Sequence, residues 1–186
     1  MRYQVAKWNA FLATRERGRR VREDIERELA RVDAGDTLVL DFSGVDGITV
    51  SFGDESIAKL VLARTAGDFT DRGFAIDGAS EDVRETLETV LARRKLAAVN
   101  LRPSGEVEVL GDQGWLPDTL RAALDLQWFR ASELAERLGL TPQAANNRLK
   151  LLVASGAVAR ELVVPEGGGK EFSYKAAIPA GAQDST

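Results

Sequence analysis

Residues 131–176 read as a helix, a tight turn, a second helix and a two-stranded hairpin, with almost no chain to spare between them. That succession constrains the fold more than any other feature. In the first helix Leu134, Ala135 and Leu138 fall at i, i+1 and i+4, one apolar stripe at helical spacing. Gly139 follows where a helix end needs a residue that tolerates positive φ. Leu140 plugs the turn, and Thr141-Pro142 restarts the chain as N-cap and first-turn proline. The second helix begins at Gln143, carries Ala145, Leu149 and Leu152 on its inner face, and stops at Gly156. Strands are expected over 157–164 and 171–176, with a turn over 165–170 between them. Phe172 and Tyr174 alternate onto one face, which the pattern assigns to the core.

The opposite face of the second helix carries the chemistry. At about 100° per residue, Gln143, Asn147 and Lys150 point away from the apolar stripe, with Asn146 beside them. Asn and Gln amides can pair bidentately with the N6/N7 edge of adenine, and Lys150 suits a phosphate or a guanine. Arg148, nearer the core edge, fits a phosphate contact or an internal ion pair. Lys170, near the hairpin tip, is placed to meet a phosphate backbone. A merely solvated helix face would more typically carry Glu and Lys at i,i+4 spacing. The run Gly167-Gly168-Gly169-Lys170 is not a phosphate loop: it lacks the leading glycine and the following Ser/Thr, and it joins strands rather than opening a helix.

Ala135, Gly139, Leu140 and Ala145 occupy the small, turn and core positions of helix-turn-helix units. On these residues and the hairpin, the segment 120–175 resembles the winged-helix domains of MarR-type and ArsR-type bacterial regulators. The resemblance implies double-stranded DNA as partner, read by Thr141, Gln143, Asn146, Asn147, Arg148, Lys150 and Lys170. It also implies a homodimer, although no long apolar seam is visible. From Thr141 to Ala176, the five bases Arg148, Lys150, Arg160, Lys170 and Lys175 face the three acids Glu161, Glu166 and Glu171. That weak excess predicts a modest electrostatic contribution to DNA affinity without dimerisation.

Composition narrows the remainder. The chain has 186 residues and a net charge of −4, so any surface for nucleic acid must be local. It contains no cysteine and no histidine, which removes disulfides, zinc fingers, Ser-His-Asp and Cys-His nucleophiles and most zinc sites. No catalytic residue, cofactor or metal is therefore expected. No apolar run has signal-peptide or membrane-spanning length, which predicts a cytoplasmic protein.

The first two-thirds alternates strands and helices. Strands are expected over 2–8, 37–42, 73–76, 97–101 and 107–110. A helix capped near Thr14 buries Val21, Ile25, Leu29 and Val32, with Gly18 weakening its first turn. A second helix starts near Ser51 with Phe52, Ile57, Leu60 and Val61 inward, and a third is capped by Ser80. This order predicts an α/β sandwich on a mixed or parallel sheet.

Leu38-Val-Leu-Asp-Phe-Ser-Gly-Val45 and Ile48-Thr-Val-Ser-Phe-Gly-Asp-Glu-Ser-Ile57 carry a second resemblance. On them, residues 11–110 resemble the STAS family, and more closely the STAS-like domains of bacterial proteins. In STAS anti-sigma antagonists, a strand ending Asp-x-Ser-x-Val leads to an Asp-Ser-Ser/Thr-Gly turn whose serine is phosphorylated by a partner kinase. Asp41, Ser43 and Val45 match. The turn departs: Thr49 holds the aspartate position, Val50 the usual phosphoserine position, and Ser51 aligns with the neighbouring hydroxyl. The resemblance implies a protein partner, a kinase or anti-sigma-like ATPase, with Ser51 and Thr49 as candidate switch residues.

Simpler roles stand beside these. Ser51 is most simply an N-cap, with Asp54 completing a capping box. Asp41, Asp46, Asp54 and Glu55 could gather at the carboxyl ends of the strands, but their spacing matches no metal motif. Arg15, Arg17, Arg19, Arg20 and Arg22 interleave with Glu16, Glu23, Asp24 and Glu26, as an ion-paired helix face does. Trp115, Leu116, Trp128 and Phe129 are assigned to core packing.

The sequence thus predicts an α/β STAS-like domain over 1–111, a small α+β winged helix-turn-helix domain over 112–179 and a flexible tail over 180–186. The expected function is a cytoplasmic DNA-binding transcriptional regulator. The alternative is a protein-interaction module whose winged helix serves assembly.

Overall fold

The computed structural model describes residues 1–111, 114–164 and 171–178. Five strands form one mixed sheet: β1 (Arg2–Gln4), β3 (Thr37–Asp41), β5 (Gly73–Asp77), β6 (Ala98–Leu101) and β7 (Val107–Leu110), in that spatial order. All neighbours are parallel except the last pair, an antiparallel hairpin. The expected first strand over 2–8 is shorter than predicted. After Gln4 the chain turns through one 3-10 turn, Val5–Lys7. A parallel ladder of two residues each, β2 (Phe11–Leu12) with β4 (Gly47–Ile48), closes the loop after β3.

Alternation along the strands sorts the sheet's two faces. Leu38, Leu40, Phe74, Ile76 and Ala98 enter one core, under α1 (Arg15–Leu29), the helical segment from Val50 to Ala66, and α4 (Glu81–Arg93). The middle segment is α2 (Val50–Gly53), a π turn (Asp54–Ala58) and α3 (Lys59–Ala66). Gly18 is buried where α1 crosses α2: a Cβ there would lie 2.8 Å from the Phe52 carbonyl oxygen. The glycine that weakens the helix in isolation is the one that lets the two helices touch.

Ala75, Ala97 and Val99 point the other way, into a second core shared with the C-terminal elements. These are α5 (Leu116–Leu126), β8 (Trp128–Arg130), α6 (Ala131–Leu138), α7 (Pro142–Ala154), β9 (Val158–Val163) and β10 (Glu171–Ala176). The three strands form an antiparallel sheet in the order β8-β10-β9. The boundary expected at 111/112 falls between β7 and α5, yet the units on either side share side chains in one core.

Arg64 ties the two units together. It is 1% exposed and has no carboxylate partner in the described structure. Its guanidinium donates to the carbonyl oxygens of Val153 (2.8 Å), Ala154 (3.3 Å), Arg72 (2.8 Å) and Phe69, and it stacks over the Phe74 ring. Val153 and Ala154 end α7, where free carbonyls and the helix dipole both favour a cation. Burial pulls Arg64 down to about 10, and it stays charged at neutral pH. Beside it, Gly156 (φ +88°) packs so closely that a Cβ would stand 2.3 Å from the Phe74 oxygen.

Candidate functional site

The outer face of α7 is set by its caps and its inner stripe. Thr141 accepts a hydrogen bond from the Ala144 amide at 3.3 Å, so its hydroxyl fixes where the helix starts. Before it, Gly139 takes the left-handed conformation (φ +63°), and the Leu140 amide reaches back to the Ala135 carbonyl at 2.8 Å, turning the chain out of α6. Ala145, Leu149 and Leu152 are fully buried. Gln143, Asn146, Asn147 and Lys150 are consequently exposed together on the far side.

Two of these amides already meet. Gln143 Nε2 donates to Asn147 Oδ1 at 3.2 Å, one helical turn apart. The Gln143 oxygen and the Asn147 amino group make no other hydrogen bond among the described residues. Lys150 makes no ion pair among the described residues. Arg148 does not join this face. It is half-buried, donates to Thr119 Oγ1 at 3.1 Å and lies over the Trp115 ring at 4.9 Å. Its partner is a hydroxyl and a ring, not the carboxylate of an internal ion pair. Lys170, the hairpin-tip candidate, lies outside the described residues, as does the tail over 179–186.

The hairpin differs from its expectation at one residue. Phe172 and Tyr174 share a face, but only Tyr174 is buried, stacked on Phe129; Phe172 is 43% exposed. The Phe172 ring lies outside the core, with the Arg160 guanidinium over it at 4.5 Å. Of the four residues assigned to packing around α5, Leu116 and Phe129 are buried, Trp115 is half-buried under Arg148, and Trp128 is 53% exposed. Strand β8, three residues long, was too short to show an alternation in the sequence.

The second candidate region opens α2. Thr49, not Ser51, is the N-cap: its hydroxyl accepts from the Phe52 amide at 3.2 Å. The cap lies two residues earlier than the sequence suggested, directly after the β4 ladder that ends at Ile48. Ser51 therefore sits half-buried in the first turn, and no hydrogen bond engages its hydroxyl among the described residues. Asp54 forms no capping box with it. It takes a two-pronged bond from Arg94 at 2.6 and 2.9 Å, which holds its carboxyl below the usual range. Val50 (41% exposed) and Phe11 (56% exposed) flank this turn.

Of the carboxylates considered as a cluster, only Asp54 and Glu55 stay together, sharing Arg15 at 3.5 and 3.6 Å. Asp41 pairs with Arg2 at 3.0 Å, Glu55 with Lys59 at 2.6 Å, Asp54 with Arg94, and Asp46 is exposed. Among the described residues no three acids are grouped to hold a metal. The α1 arginines are largely spent on their own helix, in the pairs Arg20–Glu16, Arg22–Glu26 and Arg19–Glu23. Among the described residues no helix is long and apolar enough to cross a membrane.

No curated protein and no solved structure matches the chain. One family does, over the segment that runs from α1 through β3 and β5 into the first turn of α4. Residues 17–84 match the model of that family, the STAS-like domain of unknown function (DUF4325).

Proposed function

We propose that the protein is a non-catalytic transcriptional regulator whose C-terminal unit, a winged helix-turn-helix, reads double-stranded DNA with the outer face of α7. The observation that carries this reading is the exposed set Gln143, Asn146, Asn147 and Lys150 on a helix whose other face is sealed. In the major groove the free oxygen of Gln143 and the free amino group of Asn147 supply the acceptor and donor that an adenine edge complements. Lys150 contacts a phosphate or a guanine. Arg148 is left to packing. With only a weak basic excess from Thr141 to Ala176 and a negative net charge, the monomer's attraction to DNA is weak, and a homodimer on paired half-sites supplies the rest.

Selection of random duplexes by the pure full-length chain is expected to enrich one motif. Asn147→Ala should then cost roughly 1–3 kcal/mol on that motif and relax one base position. Lys150→Ala should weaken binding and lower the salt slope by about one if its contact is a phosphate. A double variant that binds the selected motif unchanged would refute α7 as the reading element.

A second reading rests on a separate observation: among the described residues no hydrogen bond engages the Ser51 hydroxyl, and its neighbour Val50 is exposed. In it the STAS-like unit docks a kinase or an anti-sigma-like ATPase, and Ser51 takes the phosphate. A phosphate at Ser51, in the first turn of a helix, is favoured by the free amides and the dipole there. Intact-mass spectrometry of the protein isolated from its own cells is expected to show a phosphate lost in Ser51→Ala. A chain unmodified in every growth condition sinks this switch.

A further inference from the structure

Where the C-terminal unit meets the five-stranded sheet, the second face is not fully covered. An open cavity of about 430 Å³ remains between β3 and the end of β10. Its apolar wall is Val39, Ala75, Leu101 and Ile178. Two charged residues stand at its edge, Asp36 and Lys175. The Lys175 ammonium comes to within 3.1 Å of where a Cβ on Gly35 would sit, one residue before Asp36. Even so, neither side chain makes an ion pair or hydrogen bond among the described residues. The Met1 ammonium at the rim is already bonded to the Thr37 carbonyl at 3.0 Å. Glu161, diagonal to Lys175 on the same hairpin, brings its carboxylate to within 3.3 Å of the same point on Gly35 without lining the cavity.

The volume is in the range of small-molecule sites, and the lining has their usual makeup of apolar walls with a few polar groups. A purely apolar guest would leave Asp36 and Lys175 to solvent. A simple anion would meet Lys175 but sit close to Asp36, and a simple cation would have the reverse problem. A zwitterion answers both charges while its side chain covers the apolar wall. We infer that this cavity is a binding site for a free α-amino acid with an apolar side chain, its carboxylate on Lys175 and its ammonium on Asp36. The site is built from both units of the chain, and it stands independently of the DNA reading.

The test is calorimetric titration of the full chain, without DNA, with L-leucine and L-phenylalanine. Saturable binding of at least one is expected. N-acetyl-L-phenylalanine and phenethylamine each lack one charge and should bind about tenfold or more weakly, since one charge-assisted bond is lost. Lys175→Met should weaken binding by a similar factor, and Val39→Trp should abolish it by filling the cavity. A thermal melt checks that each variant is folded; Lys175 is half-exposed, so its variant carries the test even if the tryptophan is not tolerated. The proposal is overturned by any of three results: no saturable binding of either amino acid, equal binding of the one-charge analogues, or binding unchanged by Lys175→Met.

Discussion

A single side chain, Arg64, holds carbonyls from three separate segments at once: the end of α7, the turn after α3, and the entry to β5. Removing it takes the donor from the Ala154, Phe69 and Arg72 carbonyls, while Val153 keeps the Gly156 amide at 3.2 Å. Arg64→Met is expected to destabilise the fold by about 1–3 kcal/mol, the range for leaving buried acceptors without their donor. Arg64→Lys should recover little of this, because one ammonium cannot span the fork's separated acceptors. Chemical denaturation midpoints of the two variants check the point; a methionine variant as stable as the parent would mean the carbonyls find other donors. Nothing in the sequence distinguishes this arginine from the many on the surface. It sits in Leu60-Val-Leu-Ala-Arg-Thr-Ala66 like any helix-terminal cation, and its burial is created by a helix ninety residues away. Thr49 and Ser51 show the opposite case. The sequence placed a hydroxyl at the start of a helix correctly, and the choice between two hydroxyls turned on a ladder of two residues that has no pattern of its own.

At the scale of elements, periodicity did most of the work where a stretch was long. The buried stripe of α1, the burial of Ala145, Leu149 and Leu152 on α7, and the hairpin strands all follow from spacing. The pattern failed where an element was short or its cover came from elsewhere. β2, β4 and β8 are two or three residues each. Phe172 obeys the alternation of its strand yet stays 43% exposed, because cover comes from other elements that the strand's own sequence does not encode. The π turn at Asp54–Ala58 is another such feature. It inserts an extra residue into the helical run between the Ser51 turn and the apolar stripe of α3, so residues on its two sides do not follow one helical register. The candidate reading face of α7 was legible for a simple reason: it requires only that one face be buried, and the inner stripe fixes which one.

The molecule as a whole behaves differently from what its two sequence patterns suggest. Read separately, they describe a STAS-like unit and a second, independent domain. Yet Ala75, Ala97 and Val99 belong to the same core as Leu120, Phe129 and Leu152, and Arg64 and Gly156 interlock across the junction. Small residues on that sheet face permit the close approach, and no local pattern announces it. Shared burial makes the halves thermodynamically interdependent: unfolding one exposes the apolar face of the other. The full chain is therefore expected to melt as one cooperative unit. At ~0.7 kcal/mol per residue the calorimetric enthalpy near 60 °C would be roughly 130 kcal/mol, with a van't Hoff enthalpy to match. Independent domains would instead give a van't Hoff value of about 80 kcal/mol or less, the share of the first 111 residues, and two resolvable transitions. Differential scanning calorimetry separates the cases. Two transitions, each unmoved when Arg64→Met lowers the other, would show that the common core does not couple the halves. A single transition that Arg64→Met shifts as a whole would show that a residue of the STAS-like unit sets the stability of the helix proposed to read DNA.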